Sequence, residues 1–590
     1  MTDTISDQPL VAIDPAWPRV SLADATAALT APGGKFEIDV ATIRGIPTRV
    51  WKHAPADLGV LLDLSRTHGD RLATILEGER VSFEAQYRAT AALAQAFVDR
   101  GVGKGDRIAF ATRNLPEWPV IFFAIVSIGA IAVPLNAWWT GDELTYGIQD
   151  SGARIVIVDV ERYDRLAAHR ADLPDVGEWI VTRAPTAIEG ATALETLIGR
   201  PADWAALAAG ERPHIPLASD DPATIFYTSG TTGHPKGALG THRNLTTNIL
   251  SSGFAAARNF VRRGEPVPDP APRTILTVIP LFHVTACSAT LMGSMAAGHT
   301  MIFMRKWDAV QAMQIIERER VNVTGGVPTI AWQLLEHPDR AQYDLSSLEA
   351  ISYGGAPSAP ELVKRIYEEF GALPGNGWGM TETMATVTSH SAEDYLGRPT
   401  SAGPPVPVAD LEIRADDGVT PLPNGTVGEL WARGPMIVTG YWNKPQASAE
   451  TFVGGWVRTG DLARLDAEGF VYIVDRAKDM VLRGGENIYS SEVENRLYEH
   501  PAVMDAAVIG LPHRTLGEEP AAVVHLAPGT SASEAELQAW VRARLAAFKV
   551  PVAIRFTEGT LPRNANGKIL KKDLKALFDD RPAAGQAAAG

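Results

Sequence analysis

The sequence predicts an α/β protein: a large N-terminal domain of mixed α/β sheets with a β-rich subdomain, followed by a small α+β C-terminal domain. Three observations carry this expectation. From Leu58 onward, helical apolar stripes alternate with short apolar strands. A stretch near 410–475 is instead rich in short strands and turn signals. Roughly the last hundred residues again mix helix and strand, at the size of a small domain.

The individual elements follow from periodicity. Ser82–Arg100 reads as a helix, with Phe83, Tyr87, Ala91, Leu93 and Phe97 on one face. Arg107–Ala111 and Ile155–Val158 read as strands, and their apolar character suits parallel or mixed sheets covered by helices. The longest apolar run, Val120–Leu135, is interrupted by Ser127, Gly129 and Pro134. It falls short of the ~20 residues that cross a bilayer and is expected as a buried helix turning at Gly129 into a core strand. Val261–Arg273 is expected as a surface loop, and residues up to about Val40 as an extended lead-in. Asp416-Asp417-Gly418 and Pro423-Asn424-Gly425 mark turns beside the strand Gly428–Ala432. Near 475–479 the pattern changes again. Glu492–Tyr498 and Ser533–Ala547 then read as helices, and Ala506–Ile509 and Ala521–Leu526 as strands. The expected division is 1–477, 478–580 and a disordered Ala/Gly/Pro tail, 581–590.

Bulk properties narrow the function. The 590 residues carry a formal charge of −15, so the basic footprint of a nucleic-acid binder is missing. Cys287 is the single cysteine, which excludes an intramolecular disulfide and a Cys-rich metal site and suits a reducing compartment. The first residues lack a basic region followed by an apolar run, so a cytoplasmic location is expected. Peripheral contact with a membrane surface is compatible with the sequence.

The strongest chemical signal is Tyr227-Thr228-Ser229-Gly230-Thr231-Thr232-Gly233-His234-Pro235-Lys236-Gly237, after the apolar strand Ala223–Phe226. Glycines allow close backbone approach, hydroxyls and N–H groups donate to phosphate oxygens, and Lys236 adds charge. The spacing is not that of a Walker A loop.

This loop resembles the phosphate-binding signature of the adenylate-forming superfamily, which includes acyl-CoA synthetases, luciferases and peptide-synthetase adenylation domains. Further resemblances follow in the family's order: Gly354-Gly355-Ala356-Pro357; Gly377-Trp378-Gly379-Met380-Thr381-Glu382, with Trp378 where Tyr is usual; Arg458-Thr459-Gly460-Asp461-Leu462; Asp475-Arg476-Ala477-Lys478-Asp479; and Pro562-Arg563-Asn564-Ala565-Asn566-Gly567-Lys568-Ile569. They cover roughly Leu58–Leu577.

The resemblance implies an ATP-dependent carboxylate–CoA ligase. It would form an acyl-adenylate with loss of pyrophosphate, and then the acyl-CoA thioester. Asp461 and Arg476 would take the ribose, as a two-oxygen acceptor and a donor. Gly355, Ala356 and Pro357 would lie beside the adenine, and Trp378 against a flat ligand between Gly377 and Gly379. Met380 and Thr381 complete that loop. Glu382 would hold Mg²⁺, with Thr231 as a neighbouring oxygen ligand. Lys568 would bridge the carboxylate and the α-phosphate. Lys478 would be the hinge of a mobile C-terminal domain. Gly484 and Gly485 would line the path of the coenzyme A thiol. His283 would sit beside the reacting carboxyl group, where a satisfied core histidine is an equal reading.

The acid is expected to be hydrophobic, either fatty or aryl-alkanoic. The segments Val284–Gly293, Gly325–Trp332 and Ser352–Ala356 are apolar or small and contain no Lys or Arg. A different acceptor (a carrier protein, or oxygen as in luciferases) and a non-catalytic nucleotide or acyl-ligand sensor are the competing readings. Oligomeric state is not legible.

Overall fold

A computed structural model describes Val11 and residues 13–228, 234–354, 360–484, 486–563 and 569–579. Two large sheets form the N-terminal part. The first has seven strands among the described residues, in the order Gly237–Thr241, Pro222–Tyr227, Ile131–Pro134, Arg107–Ala111, Ile155–Asp159, Glu178–Thr182, Thr192–Ala193. It is parallel except at its first edge, where Pro222–Tyr227 and Gly237–Thr241 run antiparallel with Tyr227 opposite Gly237. The second has eight strands, with Ala350–Gly354 and Val323–Gly326 in its parallel centre and the antiparallel strand Ala385–Ser391 at one edge.

The apolar run resolves into a helix, Glu117–Val126, and a strand, Ile131–Pro134, joined through Gly129 at φ +77°. Every residue of that helix is buried, so the run is explained by packing against the helices Leu58–Arg66 and Phe83–Asp99 and the strand Ile131–Pro134. The helix Phe83–Asp99 starts where Ser82 accepts a hydrogen bond from the Ala85 N–H.

The turn-rich region forms a five-stranded antiparallel sheet that includes Gly428–Arg433, Trp456–Leu465 and Val471–Arg476. A last sheet is built from Val481–Arg483, Glu486–Ile488, Val503–His513, Gly517–Leu526 and Ile554–Thr557, with the helix Ser490–Tyr498 packed on it.

Three local expectations need correction. The lead-in contains a helix, Leu22–Leu29, capped by Ser21, and an antiparallel hairpin, Ile38–Ile43 with Ile46–Trp51. The helix His242–Arg262 runs through Val261, so the surface loop begins later than expected. The helix expected over Ser533–Ala547 stops at Arg542, and a separate 3₁₀ turn spans Ala547–Lys549. The tail 581–590 lies outside the described residues.

Helix His242–Arg262 is fixed from inside by charge. Arg262 donates to Asp394 at 2.8 Å, and both side chains are fully buried. Removing one partner of such a pair strands a charge, which costs about 3–5 kcal/mol. Arg262→Ala should therefore lower the denaturant midpoint sharply. An Arg262→Ala, Asp394→Ala double variant should recover part of that loss, which chemical denaturation of the two variants will read.

Candidate active site

The site is assembled where the antiparallel edges of the two large sheets meet the β-rich sheet. At the Gly/Thr-rich loop that follows Tyr227, the ends are closed by the Thr228 N–H donating to the Lys236 carbonyl at 2.9 Å. Tyr146 supports the loop by donating its O–H to the Pro235 carbonyl at 3.0 Å. Below it, the Tyr227 O–H donates to Asp150 at 2.9 Å, and Lys444 Nζ holds the other Asp150 oxygen at 2.8 Å. Ser229, Gly230, Thr231, Thr232 and Gly233, the centre of the motif, lie outside the described residues, as do Gly355, Ala356, Pro357, Gly485 and Lys568.

Gly377, Trp378, Gly379 and Met380, expected as a loop, instead occupy the strand Leu373–Met380, paired with Ala385–Ser391 across a bulge at Trp378/Gly379. A Cβ on Gly377 would come within 2.6 Å of the Thr388 carbonyl oxygen, and one on Gly379 within 1.5 Å of that of Ala385. Two glycines are thus required by backbone approach, and the bulge re-aims the tryptophan between them. Its indole N–H donates to Asp461 Oδ2 at 2.7 Å. Asp461 is buried and stands directly across the strand pair from Arg476, whose Nε lies 3.4 Å from Asp461 Oδ1. The carboxylate and guanidinium expected to share one sugar are therefore neighbours. The Trp378 contact was not foreseen, because no local pattern joins positions so distant in sequence.

Thr381 and Glu382 follow in a 3₁₀ turn, Thr381–Thr383. Glu382 is buried, and Oε1 accepts the Tyr441 O–H at 2.6 Å. Burial raises its carboxyl above the ordinary value, opposed by the Tyr441 hydrogen bond and by the charges of Lys236 and Arg476. Lys236 Nζ lies 4.4 Å from the centre of the Tyr441 ring. Tyr441 was missed by sequence reasoning, although Gly440-Tyr441-Trp442 stands out as a compact aromatic segment. Asp150 was missed as well, since a carboxylate near the end of a helix has no distinguishing local signal.

His283 precedes a π-helical segment, Thr285–Leu291, a feature common at functional sites. Burial drives its imidazole down to about 3, so it is neutral at neutral pH. Among the described residues, its Nε2 has no hydrogen-bond partner. Gly325, Gly326, Val327, Ile330, Ile351 and Ser352, on and beside the paired parallel strands Val323–Gly326 and Ala350–Gly354, form a closely packed patch without a basic side chain.

These features accompany clear similarities to known proteins. Residues 63–442 match the AMP-binding enzyme family, and residues 492–568 match the AMP-binding enzyme C-terminal domain. The chain belongs to the AMP-binding enzyme family. A feruloyl-CoA synthase of Amycolatopsis is 36% identical over 85% of this chain and 94% of its own. The long-chain-fatty-acid–CoA ligase FadD13 of Mycobacterium tuberculosis is 34% identical over 81% of this chain and 89% of its own. The ATP-bound crystal structure of MatB from Rhodopseudomonas palustris superposes with a TM-score of 0.77 at 29% identity, covering 89% of this chain and 99% of that one. The family member described here is accordingly an AMP-forming acid–thiol ligase, and the α/β architecture expected from sequence is the one observed. Among the described residues, no helix is long and apolar enough to cross a membrane.

Lys478 is exposed in the turn between Val471–Arg476 and Val481–Arg483, closed by the Asp479 and Met480 N–H groups donating to the Arg476 carbonyl. Gly484 follows at φ +61°, its N–H donating to the Leu516 carbonyl at 2.7 Å. On the other side of this turn, Asp475 accepts from the N–H and O–H of Ser490 at the start of the helix Ser490–Tyr498. Lys571 donates to Ser490 Oγ at 2.8 Å and pairs with Glu494 at 2.7 Å. Burial pushes the Asp475 carboxyl up to about 6 from an ordinary 3.8, with Lys571 and local hydrogen bonds opposing the rise. Between about pH 4 and about pH 6 the folded chain holds a proton that the unfolded chain has released, so this group's contribution falls as pH rises, by up to ~3 kcal/mol. Asp475→Asn should flatten that part of the stability–pH curve, as measured by denaturation across this range.

Proposed function

We propose that this ligase activates a hydrophobic monocarboxylic acid, fatty or aryl-alkanoic, with ATP and transfers the acyl group to coenzyme A. The observation that carries the choice of acid is the make-up of the segments around the paired strands Val323–Gly326 and Ala350–Gly354. The side chains there are mostly small or apolar and include no Lys or Arg to meet a second carboxylate. Feruloyl and long-chain fatty, the acyl groups in the names of the two relatives, both derive from acids with a single carboxyl group.

In the first half-reaction a carboxylate oxygen attacks the α-phosphorus and the bond to the pyrophosphate oxygen breaks. Both partners are anionic, so the rate depends on cations and donors set in place beforehand. In this reading Lys236 and the loop from Thr228 to Gly233 hold the β- and γ-phosphates. Asp461 and Arg476 hold the ribose, Trp378 orients Asp461 through its N–H, and Gly355, Ala356 and Pro357 border the adenine. Lys568 bridges the carboxylate and the α-phosphate. His283, neutral and with a free Nε2 among the described residues, is suited to hydrogen bonding at the acyl carboxyl group.

The residues also fit Mg²⁺. Glu382 is a buried carboxylate with one oxygen taken by Tyr441, and no cluster of three or more His, Cys, Asp or Glu side chains suited to a metal occurs among the described residues. Mg²⁺ commonly relies on one or two carboxylates plus substrate phosphates, and Glu382 with Thr231 would hold it. When bound, it supplies charge neutralisation at the phosphates.

In the second half-reaction the thiolate of coenzyme A attacks the acyl carbon, the bond to the phosphate oxygen breaks and AMP leaves. Gly484 and Gly485 would border the thiol path after the unit of residues 478–580 turns about Lys478. Such a turn concentrates φ/ψ change in a few residues.

Two measurements test this reading. A panel of acids assayed for pyrophosphate, with and without coenzyme A, should rank medium-to-long alkanoates or aryl-alkanoates above acetate in kcat/KM. Each buried methylene contributes up to ~0.8 kcal/mol. A preference for acetate or for a dicarboxylate overturns the choice of acid. Lys568→Ala should slow adenylate formation by roughly 10²–10³ while sparing thioester formation from supplied acyl-adenylate. Equal loss in both steps would remove Lys568 from its role.

A further inference from the structure

We propose that Tyr441 is a positioning residue that holds the phosphate lysine, Lys236, and the cation carboxylate, Glu382, in one fixed frame for Mg·ATP. The inference rests on the roles given to Lys236 and Glu382 above. It begins with the backbone. The segment 438–442 is stitched to both partners of Tyr441. The Thr439 N–H donates to the Leu239 carbonyl, the Leu239 N–H to the Gly440 carbonyl and the Trp442 N–H to the Gly237 carbonyl, at 2.9, 2.9 and 2.7 Å. This is the strand that leaves the phosphate loop directly after Lys236. On the other side, the Val438 N–H donates to the Glu382 carbonyl at 3.0 Å.

The Tyr441 side chain then uses both of its faces of chemistry. Its O–H donates to Glu382 Oε1 at 2.6 Å, and its ring lies under the Lys236 ammonium at 4.4 Å. The hydrogen bond commits one carboxylate oxygen and fixes the direction of the other. The ring holds an ammonium near the carboxylate without pairing the two directly, because a cation is attracted by the ring face. A Lys–Glu ion pair would hide both charges from the nucleotide. The phenol keeps them close and separately available. Tyr441 is itself buried, and its ring packs edge-on against Phe452 at 5.4 Å, so its orientation is not free.

The two functions of Tyr441 separate by substitution. Tyr441→Phe keeps the ring and removes the O–H, and Tyr441→Leu removes both. ATP binding is measured by titration calorimetry in the absence of acid, once with Mg²⁺ and once with chelator. Tyr441→Phe should reduce the enhancement of ATP affinity by Mg²⁺ by about tenfold while leaving the metal-free affinity within about twofold, the scale of one hydrogen bond to a charged group. Tyr441→Leu should weaken metal-free ATP binding as well. A merely structural tyrosine would lower both affinities together or neither. Glu382→Gln is the reference. If it abolishes the Mg²⁺ enhancement and Tyr441→Phe leaves it intact, the role of Tyr441 is overturned alone. If Glu382→Gln leaves the enhancement intact, the cation site itself is misassigned and the Tyr441 role falls with it.

Discussion

The site depends on keeping one carboxylate, Glu382, out of bulk water while a cation and a phenol stand beside it. Removing a carboxylate from solvent disfavours its charged form, and this cost is tolerable only where donors and positive charge compensate. Tyr441 supplies the donor, and Lys236 and Arg476 supply charge. These compensating groups come from three stretches of chain: the exit of the phosphate loop, the segment 438–442 and the strand Val471–Arg476. Satisfying Glu382 therefore brings these three stretches together.

A second junction couples the strands that carry Asp461 and Arg476 to the C-terminal unit. Asp461 and Arg476 face one another across a strand pair, and Trp378 reaches Asp461 from the neighbouring large sheet. Asp475, beside Arg476, holds Ser490, and Lys571 completes the contact from the end of the chain. The turn that contains Lys478 sits between these two sets of contacts. A rotation there would leave the Asp461–Arg476 pair untouched while altering the Asp475–Ser490 contact.

The amino-acid sequence by itself determined the class of fold and the type of chemistry. Alternating apolar runs specified which segments were helix and strand, because burial on one face or on both imposes its period locally. Phe83–Asp99, Arg107–Ala111 and Ile131–Pro134 were legible for that reason. The Gly-Trp-Gly motif was legible because close backbone approach admits only glycine at positions such as Gly379, but its form was not: it was expected as a loop and is a strand. Tertiary structure alone decided which side chains meet. The Trp378–Asp461 bond spans 83 positions and the Tyr441–Glu382 bond 59, and no local pattern encodes a partner at such a distance. It also decided the state of His283, since a histidine beside apolar residues becomes a neutral, enclosed imidazole only when other segments close over it. The lead-in helix Leu22–Leu29 was missed on the same ground: its periodicity is weak, and its stability comes from packing against the distant helix His242–Arg262.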